Sequence, residues 1–157
     1  MAPAKLFDLA GVDMDAIVYD LAAIEETNPH RGHMRMLDGV IHLNDAKTES
    51  VGFKDVRDDE FWVAGHIPGR PIFPGILQIE LAAQLASLVF QKRTNDGRFM
   101  GFTGLDKVKF RGQVVPGDRL IMLIKEVQFR PRRFIIDARG YVEDVLVVQA
   151  QVTGMPI

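Results

Sequence analysis

The chain has no cysteine in its 157 residues. That excludes disulfides, thiol nucleophiles and cysteine-ligated zinc, and it suits a reducing compartment. Nor does charge of one sign dominate: 19 Lys and Arg stand against 21 Asp and Glu, for a net charge of -2. There is no global positive field to draw in nucleic acid. No apolar run approaches the ~20 residues that a spanning helix requires. The opening stretch, MAPAKLFDLAGVDMDAIVYDLAA, interleaves Asp8, Asp13, Asp15 and Asp20 with short apolar pieces, so it has no secretory h-region. These absences predict a cytoplasmic protein with neither nucleic acid nor membrane as partner. No repeat, linker or low-complexity segment divides the chain, so residues 1–157 are expected to form a single domain.

The informative residues gather in 61–91, FWVAGHIPGRPIFPGILQIELAAQLASLVFQ. Pro68, Pro71 and Pro74, punctuated by Gly65, Gly69 and Gly75, forbid a helix in its first half. From Ile76 to Gln91 no breaker occurs, and Ile76, Leu77, Ile79, Leu81, Leu85, Leu88 and Phe90 leave few polar positions. The pattern predicts a helix over 75–93, apolar almost all round and therefore buried. Two ionisable residues interrupt it. His66 lies in the rigid loop, and Glu80 follows it by 80 − 66 = 14 positions. Gln84 stands at i+4 from Glu80, on the same helix face. A glutamate is costly to ionise in apolar surroundings, which points to function. On pattern alone a solvent-facing polar seam of Glu80, Gln84, Ser87 and Gln91 explains it as well.

The flanks read as follows. Asp13 or Asp15 can cap a short helix carrying Ile17, Val18, Leu21 and Ile24, a helical lead-in over 1–27 that stops near Asn28-Pro29. Met34 to Leu43 suggests a strand. Thr48 to Lys54 alternates, predicting a strand whose Thr48, Ser50, Gly52 and Lys54 side is wet. Asn95-Asp96-Gly97 closes the long helix. Strands follow over Phe99 to Phe110, bent at Gly104, and over Leu120 to Val127, apolar on both faces. Phe134 to Val142 and Val145 to Val152 make a hairpin around Glu143-Asp144. The class is α+β, an antiparallel β-sheet wrapped around a long central α-helix. A single curled sheet leaves an unpaired edge, and self-pairing into a dimer would cover it.

GHIPGRPIFPGILQIELAAQ resembles the signature of the (3R)-hydroxyacyl-acyl-carrier-protein dehydratases of fatty-acid synthesis, the FabZ type. NPHRGHMRMLDGV, with Pro29, His30 and Arg31, resembles that family's early Pro-His-Arg segment. KVKFRGQVVPGDRL, with Phe110, Arg111, Val115, Pro116, Gly117 and Asp118, resembles its later one. The resemblance implies the hot-dog fold and three roles that dehydration needs. His66 is the base, Glu80 the acid or water-holder, and Gly75 the amide donor to the thioester oxygen. It also implies that His66 and Glu80 of one site come from different subunits of a homodimer, and that three dimers assemble into a hexamer. No cofactor and no metal are implied; the substrate arrives on the phosphopantetheine of acyl carrier protein. Gln84 orients Glu80 or simply packs. The bifunctional branch that also moves the double bond carries aspartate at the position of Glu80, and tends to carry it at that of Arg70. This chain is thus expected to stop at the trans-2-enoyl product. Gly32-His33 and Gly112-Gln113 depart from the family pattern, which leaves acyl-chain length open.

Weaker features remain. His30, His33 and His42 complete no metal-ligand spacing and read as solvated or structural. Arg130, Arg132 and Arg133 form either a dock for an acidic carrier or a plain exposed turn. Phe99, Phe102 and Phe110 line an acyl channel or, as the simpler reading, fill the core. Two rival functions stay open: a hot-dog acyl-thioesterase and a non-catalytic acyl- or carrier-binding module.

Overall fold

Asp20 starts the first helix in the computed structural model, which describes residues 4–157. Its side chain accepts the Ala23 amide at 3.0 Å, and α1 runs over Leu21–Thr27. The cap expected at Asp13 or Asp15 does not form. Asp13 instead takes the Asp15 amide in a local turn. The Val18 and Tyr19 amides donate to the Val40 carbonyl at 2.8 and 3.3 Å. That bridge holds residues 18 and 19 against strand β1 (Gly39–Leu43), so the helix begins only after them.

Five more strands follow: β2 (Glu49–Asp55), β3 (Met100–Phe110), β4 (Arg119–Arg130), β5 (Arg133–Val142) and β6 (Val145–Pro156). They join β1 in one six-stranded antiparallel sheet of order β1-β2-β4-β5-β6-β3. Helix α2 (Gly75–Thr94) connects β2 to β3 across the concave face. Leu81, Leu85 and Leu88 are fully buried there against Leu120, Met122, Ile124, Ile136 and Val148. Truncating such a leucine to alanine typically costs about 2–5 kcal/mol. The helix ends at Asn95, whose φ of 51° is left-handed and whose amide returns to Gln91. The result is the hot-dog fold, a sheet wrapped on one long helix.

Strand β2 departs from expectation. Ser50, Val51, Gly52, Phe53 and Lys54 are all buried, so it has no wet face. The small and polar side faces the helix: a Cβ on Gly52 would come within 2.8 Å of Leu37 and 3.1 Å of Leu85. The apolar side, Val51 and Phe53, faces outward and is covered. Leu6, Phe7, Leu9 and Val12 lie over it, together with Ile41, Leu123, Tyr141 and Leu146. Alternation was therefore present, but the wet layer was replaced by the N-terminal segment.

Strand β3 is an edge, hydrogen-bonded only to β6, with irregular register after Phe102 and after Asp106. Phe102 and Phe110 are exposed along it, at 43% and 54%. The reading of these two as core is thus not met. Among the described residues no helix is long and apolar enough to cross a membrane.

Candidate active site

The loop between β2 and α2 holds His66 by two carbonyls. Trp62 O accepts the His66 amide at 2.7 Å and the Gly65 amide at 3.2 Å. Ile72 O lies 2.6 Å from His66 Nδ1. A carbonyl can only accept, so Nδ1 carries the hydrogen and the neutral ring keeps its lone pair on Nε2. Ile67, next in the chain, has a φ of 58°. A β-branched residue in the left-handed region stores strain of order 1–3 kcal/mol, as tightly held functional loops do. The far end is pinned where the Phe73 amide meets Val114 O at 2.7 Å.

Proline opens α2. Pro74 supplies no side-chain cap, and its carbonyl takes the Leu77 and Gln78 amides at 3.0 and 3.3 Å. The Gly75 amide precedes the first intrahelical donor and sits at the positive end of the helix dipole. A Cβ on Gly75 would stand 2.6 Å from the Phe110 ring, so glycine lets that ring lie against the helix start.

Glu80 projects one turn further along. Its Oε1 accepts Gln84 Nε2 at 2.9 Å. Gln84 is fully engaged: Oε1 takes the Met36 and Leu37 amides at 2.9 and 3.4 Å, and Nε2 also reaches Met34 O at 2.6 Å. Asn28 Nδ2 donates to the Gln84 carbonyl at 2.8 Å. Gln84 and Ser87 are buried, so the middle of the seam is turned away from solvent, and Gln84 faces the 28–37 segment. Gln84 both tethers that segment and holds the carboxylate of Glu80.

His30 is the residue that pattern reading missed. Its Nε2 lies 3.7 Å from Glu80 Oε1, with the two side chains 18% and 23% exposed, and its Nδ1 is buried without a partner. The Pro29-His30-Arg31 block was visible, but a contact across 80 − 30 = 50 positions leaves no periodic trace. Burial pushes the His30 pKa below its ordinary 6.5; the Glu80 charge opposes this and Arg31 adds to it. The unfolded chain therefore binds more proton once pH falls below 6.5. The contribution of His30 to stability is full above that pH and is lost as pH drops toward the lowered folded value. His30→Gln is expected to flatten this acid-side loss, read as urea midpoints at about pH 7.5 and about pH 5.5. An unchanged pH slope would assign the loss elsewhere.

Within the chain, among the described residues, no hydrogen bond or ion pair joins His66 to Glu80. His33 packs on Phe61 at 5.6 Å between ring centres, and His42 lies in β1. Among the described residues no three His, Cys, Asp or Glu gather as metal ligands. Arg130, Arg132 and Arg133 are exposed at the β4–β5 turn, where Arg98 also reaches Pro131 O at 3.3 Å.

Residues 28–151 match the model of the FabA-like domain. Over 135 residues the chain is 38% identical to the 3-hydroxyacyl-(acyl-carrier-protein) dehydratase FabZ of Streptococcus gordonii, covering 85% of this chain and 95% of that one. It is 36% identical to the protein of the same name from Streptococcus mutans, with the same shares covered. Its fold is similar to that of a dehydratase heterocomplex from Xenorhabdus doucetiae, with a TM-score of 0.72 and 16% identity, covering 85% of this chain and 90% of that one. A strained histidine loop, an uncapped helix start and a tethered glutamate therefore sit in a chain that belongs to the FabA-like dehydratase family, alongside the FabZ enzymes.

Proposed function

We propose that this enzyme removes water from (3R)-hydroxyacyl chains carried on acyl carrier protein, giving the trans-2-enoyl thioester in fatty-acid synthesis. The observation that carries the proposal is the hydrogen bond from His66 Nδ1 to Ile72 O, which leaves Nε2 free as a base. Nε2 takes a proton from the α-carbon. The Gly75 amide stabilises the charge that grows on the thioester oxygen. The C–O bond at the β-carbon then breaks as Glu80, in its neutral carboxylic-acid form for this step, gives its proton to the hydroxyl that departs as water. Return of the Nε2 proton to Glu80 through that water resets both groups. Electrons shift only within the substrate, so the step needs neither oxidant nor reductant, and the scheme calls for no cofactor and no metal. Histidine and glutamate acids and bases typically contribute about 10²–10⁴-fold each.

His66 and Glu80 complete each other across a homodimer in this scheme. Support comes from the absence, among the described residues, of any hydrogen bond or ion pair between His66 and Glu80 within one chain, and from the open β3 edge with its exposed phenylalanines. Three such dimers form the hexamer. The arginine turn at 130–133 suits an acidic carrier, and the setting is the cytoplasm. A thioesterase is the weaker reading, because it would leave the held tautomer of His66 without a task.

The test uses a ten-carbon 3-hydroxyacyl carrier with resolved products. The trans-2-enoyl thioester is expected alone, since Glu80 is one methylene longer than the aspartate of the isomerising branch, and about 1 Å at a reacting group matters greatly. A substantial cis-3 fraction would sink the assignment. Release of free thiol without enoyl product would establish the thioesterase.

A further inference from the structure

Behind the His66 loop lies a buried ion pair that the dehydration scheme does not use. Lys54 of β2 and Glu60 of the following turn are 3% and 5% exposed, and Nζ stands 3.1 Å from Oε2. Such residues are seldom buried unless paired, and apolar replacements of a buried pair are often as stable or more so. Stability alone is a poor reason for this pair to be here. Each partner reaches further. Glu60 Oε2 accepts the Trp62 indole N–H at 3.0 Å, and Oε1 accepts the Arg57 amide at 2.8 Å. Lys54 Nζ lies 5.7 Å from the centre of the Phe73 ring. The Trp62 and Phe73 rings meet at 5.4 Å, tilted by 52°.

These two aromatic residues bracket the histidine loop. Trp62 provides the carbonyl that takes the His66 amide, and Phe73 follows Ile72, whose carbonyl takes Nδ1. We infer that Lys54 and Glu60 are positioning residues for His66: their ion pair clamps Trp62 and Phe73, and thereby holds both carbonyls that fix the orientation and tautomer of the imidazole. The strain at Ile67 is what the clamp opposes, since a freed loop would relax that φ of 58°. The consequence for rate rests on His66 being the base; the consequence for the ring does not.

Two variants test this. Trp62→Phe removes the indole donor and keeps a ring. The double variant Lys54→Met with Glu60→Gln removes both charges together, so that neither is left buried alone. The first readout is the nitrogen-15 resonance pair of the His66 imidazole, assigned against His66→Ala, in samples whose dispersed amide and methyl proton resonances show native packing. The wild-type ring is expected in the Nδ1–H form, and each variant in a mixture of tautomers. The second readout is enoyl thioester hydration. There kcat is expected to fall by about tenfold or more with KM within about twofold, as small misplacements of a reacting group do. In a His66→Ala background neither variant should lower the residual rate further, because coupled residues are not additive. A folded variant that keeps the pure Nδ1–H form overturns the inference, whatever its kinetics. A ring that loosens without loss of turnover upholds the clamp and removes His66 as the base. Should the double variant fail to fold, Trp62→Phe decides the question alone.

Discussion

His66→Ala is expected to lower kcat for enoyl thioester hydration by about 10²–10⁴-fold while the protein stays folded. The loop does not depend on the imidazole for its shape. The His66 amide keeps its bond to Trp62 O, Arg70 N keeps Ile67 O at 2.9 Å, and Phe73 N keeps Val114 O. Pro68, Pro71 and Pro74 restrict the backbone further. Only the bond from Nδ1 to Ile72 O is lost, a net of about 0.5–1.5 kcal/mol for an ordinary hydrogen bond. Thermal unfolding should therefore shift little beside the change in rate. A variant with near-normal kcat would show that another group abstracts the proton.

Mixing two dead proteins should give a live one. His66→Ala and Glu80→Gln each remove one half of the chemistry. In a two-fold dimer whose sites are shared, a mixed pair holds one site with both substitutions and one site with neither. Random exchange makes half of the dimers mixed, each with one intact site of two, so about a quarter of the wild-type rate is expected back. If each site lies within a single chain, both sites of the mixed pair are dead and nothing returns. Native mass spectrometry verifies that the mixed dimer formed. No recovery from it would reject the shared-site scheme. Glutamine suits position 80 because it preserves the length and the acceptor oxygen that Gln84 holds at 2.9 Å.

Much of this is legible in the sequence, and the reason is local chemistry. Three prolines and three glycines set the limits of the loop, and the breaker-free run beyond them is α2, which runs one residue past the predicted end at 93. The hairpin around Glu143-Asp144 forms as expected from the two apolar runs that flank it, with Glu143 at a positive φ of 54°. What stayed hidden depends on neighbours remote in the chain. Lys54 looked wet because its counter-charge comes from the turn behind it and its lid from Phe73. Val51 and Phe53 looked like the only core face of β2 because nothing in an alternating pattern says that residues 6–12 will lie over it. The first helix was placed too early for a similar reason: the amides of Val18 and Tyr19 were already taken by Val40. Glu80 and Gln84 were paired correctly at i+4, yet His30, which shares the same carboxylate, could be found only in three dimensions.

The covering of β2 has a practical side. The match to the family begins at residue 28, whereas Leu6, Phe7, Leu9 and Val12 seal the outer face of the sheet. Residue 28 is thus a limit of ancestry and not of architecture. A shortened version cut at the family boundary would lay Val51, Phe53, Leu123 and Tyr141 open to water as one contiguous greasy patch, the kind of surface on which proteins stick to one another. Anyone trimming the gene for expression or display would be wise to leave the first dozen codons in place.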